Sequence, residues 1–141
     1  MFILADPQKA LLYATYPNQG VGLLRMEFMI SNSIQIHPMA LVKYNELTND
    51  SDKKQIDALT RHYTDKKQFF IDKLSESIGL VAAAFYPKEV IVRLSDFKTN
   101  EYAKLLGGAL FEPEEENPML GFRGASRYYN ERYREGFGLE C

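Results

Sequence analysis

The sequence predicts an α/β fold with a parallel sheet that is covered by helices on both faces. Apolar runs near residues 2–5, 21–30 and 89–95 are typical of buried strands, because they lack the regular polar alternation of a half-exposed strand. Segments with helical periodicity separate these runs, and strands that alternate with helices indicate parallel pairing. The chain has 141 residues, 45% of them hydrophobic, which predicts one globular domain with its own core.

The N-terminal elements follow from capping residues and turns. Asp6 and Pro7 come after the first predicted strand and favour the start of a helix, since aspartate caps a helix and proline fits its first turn. This helix is expected to run to about Tyr16. A turn at residues 18–20 then precedes the second predicted strand, whose polar residues lie near its carboxyl end.

The middle of the chain is predicted to be helical. Pro38 favours the start of a short helix, and the polar residues 48–52 favour a loop that caps another. The main helix is predicted at residues 65–85, because apolar residues recur there at spacings of three and four. Proline at position 87 ends this helix before the third predicted strand.

Shorter elements are predicted towards the C-terminus. They are a helix at residues 99–106, an acidic loop at residues 112–118 and a final helix from about Ala125. The consecutive acids Glu114–Glu116 are interpreted as a solvated loop rather than a metal site. Three neighbouring side chains on a loop do not converge on one ion without special backbone geometry.

Composition excludes several classes of function. The net charge of −2 and the absence of a basic block exclude an electrostatic surface for nucleic acid. No apolar stretch approaches the ~20 residues that cross a bilayer, and no secretory leader is recognisable, so no membrane partner and a cytoplasmic location are expected. The single cysteine, Cys141, cannot form an internal disulfide and is interpreted as inert.

Neither histidine has a setting that favours catalysis. His37 precedes Pro38 at a predicted helix start, and His62 lies in a polar amphipathic helix, so surface or capping roles are predicted for both. The sequence also lacks a glycine-rich phosphate loop, which leaves ATP binding within this chain without a supporting motif.

Three arginines, each at the end of an apolar run, are the candidate site residues: Arg25, Arg93 and Arg123. Arg25 and Arg93 fall at the carboxyl ends of predicted strands, where ligands of parallel α/β folds bind. A guanidinium group pairs well with phosphate and carboxylate because its planar fork gives two charge-assisted hydrogen bonds. The pattern therefore indicates a shared anionic ligand.

Ordinary ion pairing is the alternative, and the pattern alone leaves it open. Each arginine has acidic residues close by in the sequence. The candidate pairs are Arg25 with Glu27, Arg93 with Asp96 or Glu101, and Arg123 with Glu114–Glu116.

The segments around the arginines resemble the phosphoenolpyruvate-utilising enzyme family, in its C-terminal domain, and most closely the synthases of that family. The matching segments are residues 20–28, 36–41, 84–87, 90–103 and 111–128. The resemblance implies a (β/α)₈ TIM barrel, of which this chain holds roughly the first half with an inserted helical segment. It also implies an enzyme that makes phosphoenolpyruvate from pyruvate and ATP and releases AMP and phosphate.

The resemblance assigns roles to the arginines. Arg25 and Arg93 match the two arginines that hold the phosphoryl and enolate oxygens of phosphoenolpyruvate or pyruvate in that family. Arg123 matches the arginine of an Asn-Pro-x-Leu-Gly-x-Arg motif, for which direct contact with substrate is less firmly implied.

The rest of the family's machinery is implied to lie outside this sequence. Its magnesium-binding glutamate and aspartate and its acid/base cysteine belong to later strands of the barrel, and Cys141 does not occupy the place of that cysteine. ATP is bound by an ATP-grasp domain, and a phosphohistidine domain carries the phosphoryl group to the barrel. The 141-residue chain alone is therefore expected to be inactive, and to be marginally stable or to form homo-oligomers through unpaired strand edges.

A second class of function also remains open. The chain could serve as a non-catalytic module for anion binding or assembly, with arginines kept for that purpose. Binding of phosphoenolpyruvate that depends on Arg25 and Arg93 distinguishes a retained substrate site from a purely structural role.

Overall fold

The computed structural model describes all 141 residues and divides into two compact units. Unit 1 comprises residues 1–34 and 72–95, and unit 2 comprises residues 35–71 and 96–141. No linker or change of composition in the sequence marks this division. Each unit has its own buried apolar residues, such as Leu24 in unit 1 and Tyr102 in unit 2.

The sheet of unit 1 is parallel and has three strands in the order β1-β2-β3. The strands are β1 (Phe2–Leu4), β2 (Gly20–Arg25) and β3 (Glu89–Arg93). Helical segments connect them, as parallel strands require. The prediction of an α/β fold with a parallel sheet is therefore confirmed, but the predicted helical cover on both faces of that sheet is wrong, since Ile3 and Ile91 are exposed on one face.

Helices make up most of the remaining regular structure, and only one of them is long. They are α1 (Ala10–Ala14), α2 (Met26–Met29), α3 (Pro38–Val42), α4 (Asp50–Leu59), α5 (Lys66–Phe85), α6 (Thr99–Tyr102), α7 (Ala125–Tyr128) and α8 (Arg134–Gly138). Helix α5 lies within the predicted range 65–85. The predicted final helix is two short helices, α7 and α8, separated by residues 129–133.

The predicted strand over residues 21–30 is corrected by the structure. Strand β2 ends at Arg25, helix α2 begins at Met26, and a π-helix follows at Ile30–Ile34. A mainly apolar run does not distinguish a buried strand from a buried helix, and this run contains both. The strand therefore ends on an arginine, and the chain turns away from the sheet immediately after it.

One face of the sheet is buried and the other is exposed. Leu4 and Leu24 are paired across β1 and β2 and are almost fully buried. On the other face Ile3 is 68% exposed and Ile91 is 52% exposed. Side chains alternate along a strand, so Arg93 shares the exposed face with Ile91, two residues before it.

Unit 2 is built around aromatic side chains. Phe97, Tyr102 and Tyr133 are buried, and the ring centroids of Tyr102 and Tyr133 lie 5.4 Å apart. A single parallel bridge pairs Ile36 with Leu106. Helices α3, α4, α6, α7 and α8 belong to this unit.

Candidate functional site

Two of the three candidate arginines end neighbouring strands in unit 1. Arg25 is the last residue of β2, Arg93 is the last residue of β3, and the register of the sheet pairs them directly. Neighbouring strands are about 4.8 Å apart, and paired residues point to the same face. The sheet thus brings Arg25 and Arg93 together at its carboxyl edge, where ligands of parallel α/β sheets bind.

Arg25 is half-buried and has an unsatisfied donor. Its guanidinium carbon lies 4.5 Å from the centroid of the Phe28 ring, so the cation packs on an aromatic face. Its Nε is buried and has no hydrogen-bond partner. A buried donor without an acceptor costs about 1–3 kcal/mol.

Arg93 pairs with a carboxylate that lies far away in the sequence. Its Nη2 donates to Oε1 of Glu27, which is in the first turn of α2. The predicted pairing with Asp96 or Glu101 is wrong, and so is the pairing of Glu27 with Arg25. The contact forms because β3 lies beside β2, and the chain turns into α2 directly after Arg25.

The pair of Arg93 and Glu27 leaves most of the guanidinium group available. The side chain of Arg93 is 43% exposed, whereas that of Glu27 is only 12% exposed. An arginine has five N–H donors, and Glu27 takes one of them. The other oxygen of Glu27, Oε2, is buried without a hydrogen-bond partner.

Arg123 lies in unit 2 and has a carboxylate partner of its own. Its Nε and Nη2 donate to the two oxygens of Asp96 at 2.8 and 3.1 Å. This is the paired geometry in which arginine binds a carboxylate most strongly. The predicted pairing of Arg123 with Glu114–Glu116 is wrong, because its guanidinium group binds Asp96 instead.

The acidic loop is only partly solvated, which corrects its interpretation. Glu114 and Glu116 are exposed, as expected. Glu115 instead accepts hydrogen bonds from the backbone N–H of Phe122 at 2.8 Å and from Oγ1 of Thr99 at 2.9 Å. The hydrogen bonds of Glu115 therefore fix the conformation of this loop.

A buried ionic cluster in unit 2 was not predicted from the sequence. Both oxygens of Glu112 accept hydrogen bonds of 2.6 Å from Arg127, and His37 lies 2.8 Å from one of these oxygens. The three side chains are at most 1% exposed. The three residues are far apart in the sequence, and nothing in its pattern links them.

The hydrogen bonds of His37 fix its tautomer. Its Nδ1 accepts from the backbone N–H of Met39 at 3.1 Å and caps α3, so its Nε2 carries the proton and donates to Glu112. Burial lowers the pKa of His37, although Glu112 acts against this shift. The predicted capping role is confirmed, and a surface position for His37 is wrong.

Aromatic rings enclose the cation of this cluster. The guanidinium carbon of Arg127 lies 4.2 to 4.9 Å from the ring centroids of Tyr102, Phe122 and Tyr133. Arg127 also donates to the carbonyl of Phe122 at 3.0 Å. The cluster is enclosed and internally paired, so its role is to hold unit 2 together rather than to bind a ligand.

The side chains at the arginine edge do not fit a magnesium ion. Glu27 is the acid found there, and it is engaged with Arg93. Across the whole chain, no group of three histidine, cysteine, aspartate or glutamate side chains could hold a metal ion. None of the helices combines the length and the apolar character needed to cross a membrane.

Comparison with known families identifies the class of this chain. Residues 3–137 match the family described as PEP-utilising enzyme, PEP-binding domain, where PEP is phosphoenolpyruvate. The chain belongs to this family.

The similar proteins described here are named as phosphoenolpyruvate synthases. The chain is 56% identical over 139 residues to a phosphoenolpyruvate synthase of Synechocystis sp. and 53% identical over 138 residues to one of Helicobacter pylori. Each alignment covers 98% of this chain and 17% of the relative. A probable phosphoenolpyruvate synthase of Staphylothermus marinus is 43% identical over 137 residues, which is 97% of this chain and 14% of that protein. The chain thus spans about one sixth of the length of its curated relatives.

Proposed function

We propose that this chain is the part of a phosphoenolpyruvate synthase (pyruvate, water dikinase) that binds pyruvate and phosphoenolpyruvate. The complete enzyme would convert pyruvate, ATP and water into phosphoenolpyruvate, AMP and phosphate in the cytoplasm. Membership of the PEP-binding domain family and the names of the relatives support this proposal. The observation that carries it is the direct pairing of Arg25 and Arg93 at the carboxyl edge of the sheet.

The two arginines suit this substrate chemically. Phosphoenolpyruvate carries a carboxylate and a phosphoryl group, and a guanidinium fork binds either with paired charge-assisted hydrogen bonds. Pyruvate must be held as an enolate while the phosphoryl group is transferred, so negative charge develops on its oxygen. Two fixed cations stabilise that charge without losing a proton themselves.

Arg123 is a weaker candidate for binding the substrate. Its Nε and Nη2 both donate to Asp96, so a substrate oxygen would have to displace a well-formed ion pair. We therefore propose Arg25 and Arg93 as the substrate-binding residues and keep Arg123 as the less firm candidate.

A partial (β/α)₈ TIM barrel is the proposed architecture. Neighbouring strands of such a barrel are consecutive in sequence and parallel, as β1, β2 and β3 are. The exposed face of the sheet carries Ile3 and Ile91, which suit the packed interior of a barrel. The strand-end arginines would then face the mouth at which barrel enzymes bind their substrates.

The remaining chemistry is proposed to reside in other parts of the complete enzyme. ATP-grasp and phosphohistidine domains would bind ATP and deliver the phosphoryl group, and magnesium would neutralise charge during the transfer. Because the ATP-binding and phosphohistidine domains are proposed to lie elsewhere and this chain has no group of three metal-ligating side chains, the 141-residue protein is expected to form no phosphoenolpyruvate from ATP and pyruvate. Formation of phosphoenolpyruvate by the purified chain would overturn that expectation.

Isothermal titration calorimetry with phosphoenolpyruvate tests the proposed binding site. We expect the wild-type chain to bind, and Arg25→Ala and Arg93→Ala each to weaken binding at least about tenfold, because each removes a charge-assisted contact. Arg132→Ala, which removes an exposed arginine, is the matched control and should bind like the wild type. Equal binding by all four proteins would contradict the site.

A non-catalytic module for anion binding or assembly is the second candidate function. The exposed Ile3 and Ile91 favour an assembly role, since apolar sheet faces are normally covered. This candidate requires no phosphoenolpyruvate affinity, so complete absence of binding in the same calorimetric experiment supports it.

A further inference from the structure

We infer that Glu27 is a positioning residue of the site formed by Arg25 and Arg93. Glu27 holds Arg93 in place both before and after an anion binds. The inference rests on the proposed function and adds a residue to it. Glu27 lies in the first turn of α2, directly after the strand that ends in Arg25, and accepts a hydrogen bond from Nη2 of Arg93. One carboxylate therefore links β3 to the segment that follows β2.

The difference in burial between the two partners supports this role. The Glu27 side chain is 12% exposed, and the Arg93 side chain is 43% exposed. The carboxylate is the inner member of the pair, and the guanidinium group extends from it towards solvent. An anion would therefore meet Arg93 on the side that Glu27 does not occupy.

The same burial excludes Glu27 as a competitor that an incoming anion displaces. If a ligand drew Arg93 away, Glu27 would keep a mostly buried charge without a counterion, which is strongly unfavourable. Its Oε2 is already without a hydrogen-bond partner, so the ion pair with Arg93 compensates for the burial of the Glu27 charge. The pair must persist in the ligand-bound state, with the other donors of Arg93 facing the ligand.

A double-mutant cycle measured by calorimetry with phosphoenolpyruvate tests this role. Glu27→Gln keeps the size of the side chain and removes its charge. If Glu27 acts through Arg93, Glu27→Gln weakens binding about tenfold in the wild-type background and less than about twofold in the Arg93→Ala background. Equal losses in the two backgrounds would mean a general structural effect, and tighter binding by Glu27→Gln would mean a competitor; either result overturns the inference.

A measurement without ligand separates this inference from the proposed function. In the ¹⁵N-arginine-labelled chain, the Nε–Hε group of Arg93 should be ordered in the wild type and mobile on the nanosecond scale in Glu27→Gln. Glu89→Gln, an exposed substitution at the opposite end of β3, should leave Arg93 ordered. If the wild type does not bind phosphoenolpyruvate, the proposed function fails while this readout still decides the role of Glu27. Unchanged order of Arg93 in Glu27→Gln overturns the inference.

Discussion

At the scale of single residues, the sequence indicated which arginines end neighbouring strands but not which acids they contact. Arg25 and Arg93 could be placed because an arginine at the carboxyl end of a buried run is a local pattern. Their environment depends on strand pairing, which brings residue 27 to residue 93. Residues that are close in the sequence do not reveal such a long-range contact, so the ion pairs that were predicted from sequence proximity were wrong.

The buried cluster of unit 2 illustrates the same limit and gives a residue-scale prediction. Glu112→Gln removes the charge that Arg127 and His37 face, and leaves the Arg127 cation almost fully buried without its counterion. We expect a loss of about 3 kcal/mol in the free energy of unfolding, in the range for broken buried ion pairs. Urea unfolding followed by circular dichroism measures this loss.

Glu114→Gln is the matched control for that substitution. Glu114 lies in the same loop but is exposed, so its replacement should change the unfolding free energy by less than about 0.5 kcal/mol. If both variants were as stable as the wild type, the cluster would not stabilise unit 2 as described.

The pH dependence of stability follows from two members of the cluster. Burial lowers the pKa of His37 below its usual 6.5, so the unfolded chain binds its proton more readily than the folded chain. Burial alone would raise the pKa of Glu112, but hydrogen bonds from Arg127 and His37 outweigh it and lower that pKa below 4.5. Both shifts make the folded state lose stability as the pH falls, first below 6.5 and again below 4.5.

Urea unfolding at several pH values between neutral and mildly acidic checks this expectation. His37→Asn, which can still cap α3, should lose most of the dependence that begins below pH 6.5. The control His62→Asn changes an exposed histidine and should show the same pH dependence of stability as the wild type. Stability that rises on acidification would show that the sign is wrong.

At the scale of elements, periodicity located the main helix better than it located the end of β2. Helix α5 is long and its apolar residues recur regularly, so its pattern was easy to recognise. The run from residue 21 to residue 30 is apolar except for Gly22, Arg25 and Glu27, and its change from strand to helix at Met26 depends on the turn that leads away from the sheet. The exact end of β2 matters because it places Arg25 at the edge.

Gly20 provides a test of the register between β2 and β3. It has a φ of 114°, and an added Cβ would collide with the backbone carbonyl of Glu89. Gly20→Ala should therefore destabilise the chain by about 2 kcal/mol or more and weaken phosphoenolpyruvate binding, since it disturbs the pairing that aligns Arg25 with Arg93. Thermal unfolding and calorimetry measure the two effects.

Gly79→Ala is the opposite case on helix α5. Nothing lies within 4 Å of an added Cβ there, so alanine should stabilise the helix by about 0.5–1 kcal/mol and leave binding unchanged. If Gly20→Ala resembled Gly79→Ala in both measurements, the β2–β3 register would not control the site.

At the scale of the whole molecule, the α/β class and the family could be predicted, but the two units could not. Alternation of strands and helices is a global pattern that the sequence carries, and the segments around the arginines resemble one family. The division into units arises from packing of segments that are distant in the chain, residues 1–34 with 72–95 and residues 35–71 with 96–141. No single stretch of sequence marks it.

The central claim is that Arg25 and Arg93 together bind phosphoenolpyruvate. A titration of the ¹⁵N-arginine-labelled chain with phosphoenolpyruvate, followed through the arginine Nε–Hε signals, tests it directly. We expect saturable shifts of the Arg25 and Arg93 signals at the same ligand concentration, with the signal of the exposed Arg132 unchanged. Signals of Arg25 and Arg93 that do not move, or that move only in parallel with Arg132, would contradict the claim.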